Sequence, residues 1–131
     1  MNKRYKIAQI VYDLDEVGGA ERVVIDLANY LSKTQFSYVI SLNSQNVNSL
    51  KQKFNFKHLK LKSDSRVKIF NFFSFISLIK KNNIKILHAH NYKPLVFCII
   101  AYFLIKDIKI IFHDHNSFRK HEWNLIIKQI S

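Results

Sequence analysis

Four of the six histidines in this chain fall in two H-x-H triplets, His88-Ala89-His90 and His113-Asp114-His115. Each triplet follows a short apolar run, residues 84–87 and 109–112. On an extended backbone residues i and i+2 share a face, so His88 is expected to point with His90 and His113 with His115. Three chemistries suit such pairs. They can ligate a metal, with Asp114 as an added ligand, although on a straight strand Asp114 points away from its neighbours. They can hydrogen-bond a substrate hydroxyl or phosphate. Or they are simply polar residues where strands emerge. A second feature is Gly18-Gly19, the only glycines in the chain. They lie between a strand-like run, residues 6–12, and a helical run, residues 20–33. Glycine permits positive φ and close approach to a ligand, and a glycine turn opening a helix offers free N–H groups to phosphate or carboxylate. The same turn serves equally as plain helix entry. Asp13-Leu14-Asp15 has the D-x-D form of a cation-chelating pair, but acids ahead of a helix N-terminus are expected on electrostatic grounds alone. Cys98 sits inside an apolar run, a poor place for a reactive thiol.

The segments between these motifs supply the scaffold. Residues 6–12, 38–42, 57–61, 84–87 and 109–112 have strand character. Between them, apolar residues at 20, 23, 24, 27, 28 and 31 repeat with helical period. Further helices are expected over residues 47–54, from near Arg66 to Lys81, after Asn91 with Pro94 in the first turn, and over 118–130. Ser63-Asp64-Ser65 is the expected cap of the helix near Arg66. Strands alternating with helices predict an α/β fold: a Rossmann-like parallel sheet of about five or more strands with flanking helices, in the order 3-2-1-4-5. Ligands bind such sheets beyond the strand carboxyl ends, near the switch point. The Gly18-Gly19 loop and both histidine triplets fall there.

Composition narrows the function classes. The chain has 131 residues, enough for one domain, and 48% of them are hydrophobic, enough for a core. The longest apolar run, residues 95–105, is well short of the ~18 residues a spanning helix needs. The basic N-terminus lacks the apolar stretch of a signal peptide. A single cysteine suits a reducing compartment, so a cytoplasmic location is expected. The net charge is +12. Residues 51–93 carry eleven Lys or Arg and one acid, interleaved with phenylalanines. Such a segment suits an anionic membrane surface or a solvated basic face. No recognised nucleic-acid motif accompanies it, and nucleic acid is not an expected partner.

Three stretches, in order, carry a family resemblance. Gly18-Gly19-Ala20-Glu21-Arg22-Val23-Val24, followed by Leu27-Ala28 and Leu31, resembles the first loop and helix of the N-terminal domain of GT-B glycosyltransferases, in the large retaining family numbered four. Ile84-Lys85-Ile86-Leu87-His88-Ala89-His90-Asn91 resembles that family's strand and His-Ala-His segment. Ile110-Ile111-Phe112-His113-Asp114-His115-Asn116 resembles the strand ending in its functional histidine.

The resemblance implies the acceptor-side half of a hexosyltransferase that moves a sugar from a nucleotide sugar to a polysaccharide or lipid-linked acceptor. By the same resemblance, Gly18 and Gly19 lie by the donor diphosphate and His115 is the catalytic histidine, with His113 the alternative alignment. Glu21, His88, His90, Asn91 and His113 are the remaining candidates for donor-diphosphate or acceptor binding. No metal and no cofactor are expected, the nucleotide sugar being a substrate. The family's donor domain carries a glutamate pair spaced eight apart, whereas Glu122 is the only acid here after Asp114. Residues 1–131 are therefore expected to form an incomplete N-terminal domain lacking the nucleotide-sugar-binding one. As a lone chain it is expected to be silent, either a truncated product or half of a split enzyme whose separate partner chain supplies the donor site. Peripheral attachment to the inner membrane face is a further expectation. A non-catalytic α/β module docking on a membrane or partner is the competing reading.

Overall fold

In a computed structural model of the chain, residues 3–14, 19–43, 55–61 and 68–114 are described. Their elements run β1 (Lys6–Val11), α1 (Gly19–Leu31), β2 (Phe36–Ser41), β3 (Lys57–Lys60), α2 (Lys68–Asn82), β4 (Ile86–His90), α3 (Tyr92–Leu104) and β5 (Lys109–His113). The five strands form one sheet, ordered β3-β2-β1-β4-β5. All four pairings are parallel. This is the Rossmann-like arrangement expected from the alternation of strands and helices. The chain builds outward from β1 through β2 to β3, then returns by α2 to lay β4 on the other side of β1. The switch point therefore lies between β1 and β4.

The period-2 geometry of the strands divides the core in two. Ala8, Ile10, Ile40, Leu87 and Ala89 meet Phe75, Ile76 and Ile79 of α2 and Leu95, Cys98 and Ala101 of α3. On the opposite face Val11 and Val39 meet Val24, Ile25 and Ala28 of α1, with Leu14 and Phe56 closing the cluster. In α1 the buried stripe is turned slightly from the expected one: Ile25 is buried and Val23 is 42% exposed. Phe97 of α3 binds the two helices of its layer together. Its ring lies 4.5 Å from Phe72 and meets Phe75 edge-on at 5.5 Å.

Two expectations need correction. The fourth strand was expected over residues 84–87, but β4 is Ile86–His90, so the first histidine triplet lies within the ladder rather than in a loop beyond it. Leu87 and Ala89 face the α2–α3 core while His88 and His90 face the other way. Gln9 of β1 lies on the same face and hydrogen-bonds His90, so a buried imidazole is tolerated there. The second correction concerns Gly19. It has no positive φ, and a Cβ added to it would meet nothing within 4 Å. Its backbone therefore does not require glycine. Helices expected over residues 47–54 and 118–130, and the cap at residues 63–65, lie outside the described residues. Among the described residues no helix is long and apolar enough to cross a membrane.

Candidate functional site

The three sequence motifs reach the carboxyl edge of the sheet by different routes. β1 delivers the chain to α1, which begins at Gly19 and carries the half-buried Glu21 in its first turn. β4 ends at His90, one residue before Asn91 caps α3. β5 ends at His113, the register partner of His90. Glu21, His90 and Asn91 line one cavity of about 280 Å³, together with Val11, Tyr12, Tyr92, Lys93 and Pro94. The Lys93 ammonium stands 4.5 Å above the Tyr12 ring at its rim, a cation–π contact that keeps positive charge at the cavity mouth. A neighbouring cavity of about 230 Å³ shares Tyr12 and Lys93 and extends to Asn71, Phe72 and Phe97. The Asn71 Oδ1 atom there is buried with no hydrogen-bond partner among the described residues.

His88, His90 and His113 come together on the side of the sheet away from α2 and α3. The His88 and His90 rings lie 4.2 Å apart, and both are within 6 Å of the His113 ring. The three differ in burial: His90 is 1% exposed, His88 is half-buried and His113 is exposed. Each offers one ring nitrogen to a group whose atoms all lie within 4.8 Å of one another. The sequence reading paired His88 with His90, as the structure does. It did not foresee His113 joining them, because that contact is set by the β4–β5 register. His115 and Gly18 lie outside the described residues.

Gln9 belongs to this arrangement and was missed. It is fully buried in β1, and its Oε1 accepts a 2.7 Å hydrogen bond from Nε2 of His90. The available signal was a carboxamide in the middle of an otherwise apolar strand, where a buried polar group needs a partner. Asn91 is also distinctive. At φ 72°, ψ −178° it occupies a region populated essentially by glycine, at a strain of about 1–3 kcal/mol. Its N–H donates to the His113 carbonyl at 3.0 Å, and its carbonyl accepts from Leu95 at 3.3 Å. Asn91 thus ties the end of β5 to the start of α3. Cys98 is fully buried on the far side of the sheet, and burial pushes its thiol far above the ordinary range, which leaves it without nucleophilic character.

Residues 17–130 match the family described as Glycosyltransferase Family 4. No curated protein matches the chain.

Proposed function

Given that the chain belongs to glycosyltransferase family 4, we propose that its sheet forms the acceptor-side wall of a GT-B, retaining hexosyltransferase. In this reading a nucleotide sugar donates to a polysaccharide or lipid-linked acceptor across a cleft whose other wall binds the nucleotide. The observation that carries it is the shared cavity at the switch point, where Glu21 of the first motif meets His90 and Asn91 of the second. Gly19 opens α1 with free space where a side chain would sit, which leaves room for the donor diphosphate beside the helix N-terminus. Lys93 adds a cation on the same rim. Gly18 belongs with Gly19. His115 is assigned the catalytic role near the donor sugar, with His113 as the alternative, and His88 supports the same surface.

Sugar transfer requires stabilisation specific to the transition state, and one wall of a cleft supplies only part of it. The 131 residues assayed by themselves are therefore expected to turn over no nucleotide sugar. The second wall comes from a donor-binding domain, on this or a separate chain. Turnover by the purified 131 residues, abolished by His115→Ala, would overturn the two-wall assignment.

A membrane-facing role for α2 has its own observation. Ile69, Phe70 and Phe73 are 54–60% exposed on a helix that ends in Lys80 and Lys81. Such a face suits peripheral contact with the anionic inner leaflet, where each nearby lysine contributes about 1 kcal/mol. The acceptor would then be met at the cytoplasmic membrane surface. Flotation with anionic vesicles, lost for Phe70→Ser/Phe73→Ser or in ~0.5 M salt, is the expected result. Equal recovery with neutral vesicles would contradict the electrostatic part.

A further inference from the structure

The geometry points to a transition-metal site formed by His88, His90 and His113, independent of the glycosyltransferase reading. Three neutral imidazoles form a donor set suited to Zn²⁺ and to its neighbours Co²⁺, Ni²⁺ and Cu²⁺. The protein builds it from two adjacent strands. The i, i+2 spacing places His88 and His90 on one face of β4, and the parallel register sets His113 of β5 directly beside His90. The candidate ring nitrogens already lie within 4.8 Å of one another. Tetrahedral zinc with bonds of about 2.0–2.1 Å needs nitrogens roughly 3.4 Å apart, so closure takes about 1.4 Å at most, within reach of imidazole rotation.

Three further features favour a ligand set over a chance group of side chains. The first is Gln9. Its carbonyl oxygen accepts from His90 Nε2, which holds the ring in place. Metal-ligating histidines characteristically donate their other nitrogen to such a carbonyl, which fixes tautomer and ring angle. The second is graded exposure. His90 sits in the protein, His88 is half-buried and His113 faces outward. That gradient gives a sheltered base and leaves a fourth position on the open side, as in three-histidine sites that keep a water ligand. The third is position: the cluster stands at the sheet edge where His90 also lines the Glu21 cavity. A cation held there would add positive charge beside any anion bound in that cavity.

The test uses the purified 131-residue chain, stripped with a chelator and titrated with Zn²⁺ alone by calorimetry, with elemental analysis after dialysis. One zinc per chain is expected, together with a melting temperature that rises with zinc concentration. His113→Ala removes an exposed ligand and is expected to lower the affinity by about 100-fold or more, since even partners of ligands are worth 10–100-fold. His58→Ala, outside the cluster, is expected to leave it unchanged. Co²⁺ in place of zinc is expected to give the visible bands of a four-coordinate ion, absent in His113→Ala. Far-UV circular dichroism confirms that the variants are folded. Absence of zinc binding, or binding untouched by both His113→Ala and His88→Ala, would overturn the site.

Discussion

The Gln9–His90 hydrogen bond can be tested by removing its partners singly and together. Both side chains are at most 1% exposed, so neither can turn to water when the other is lost. Gln9 enters with a cost of its own, because its Nε2 is buried with no partner among the described residues. His90→Leu strands the Gln9 carbonyl as well, at about 1–3 kcal/mol for the unpaired acceptor. Adding Gln9→Leu to that variant removes both buried polar atoms and is expected to recover about 1–3 kcal/mol. In the wild-type background the same Gln9→Leu change strands the His90 N–H and is expected to be neutral or destabilising. The cycle should therefore show a coupling of about 2 kcal/mol, visible as a rise of roughly 6 °C in melting temperature from His90→Leu to the double variant. The assay is urea and thermal unfolding of the metal-free chain with EDTA present. Additivity of the two substitutions within about 0.5 kcal/mol would refute the reasoning.

Three other outcomes follow from single positions. Gly19→Ala should stabilise the chain by about 0.5 kcal/mol, since an alanine fits at the start of α1 without contact, while weakening any anion seated there. Unfolding midpoints together with pyrophosphate binding check both halves, and a loss of stability would contradict the open geometry. At Asn91, the glycine-favoured backbone predicts that Asn91→Gly is more stable than Asn91→Ala by about 1–3 kcal/mol in urea unfolding, and equal stabilities would contradict the strain. His58 is a pH-sensitive group. Its pKa lies below the ordinary 6.5, chiefly because burial disfavours the cation and secondarily because of Lys60. Below 6.5 the unfolded chain therefore binds more protons than the folded one. The contribution is fully present above the unfolded value and falls as pH drops from 6.5 through the lowered folded value. His58→Gln, which retains a partner for the Ser41 hydroxyl, should flatten this dependence in urea midpoints between about pH 5 and 7.5. An unchanged profile would contradict the assignment.

Much of the scaffold was legible because burial leaves a period in the residues. The apolar runs around Ile10, Ile40 and Leu87 marked the inner strands, and their alternation with helices gave the sheet order 3-2-1-4-5 seen in the fold. The boundary of β4 was not legible. His88 and His90 look like loop residues until it is known that Gln9 of β1 and His113 of β5 lie beside them on one face of that strand. The gathering of the three motifs at the strand carboxyl ends was legible, but the contacts among their side chains were not. Proximity of His113 to His90, and of Glu21 to both His90 and Asn91, comes from strand register and helix placement. Gln9 was passed over because its strand reads as apolar. Val23 and Ile25 exchange roles because α1 is rotated slightly on the sheet, which the helical period alone cannot fix. Phe70 and Phe73, two of the phenylalanines interleaved with the basic residues of 51–93, are exposed on α2.

The most direct test of the central claim is a residue-resolved ¹⁵N titration of the chain with a panel of UDP- and GDP-sugars. The proposed function predicts shifts grouped at Gly19, Glu21, His90, Asn91, Tyr92 and Lys93, shared across the panel because the diphosphate is common to all. Shifts confined to the opposite, basic end of the sheet, around Arg4, Lys6, Lys85 and Lys109, or no shifts at millimolar donor, would contradict it.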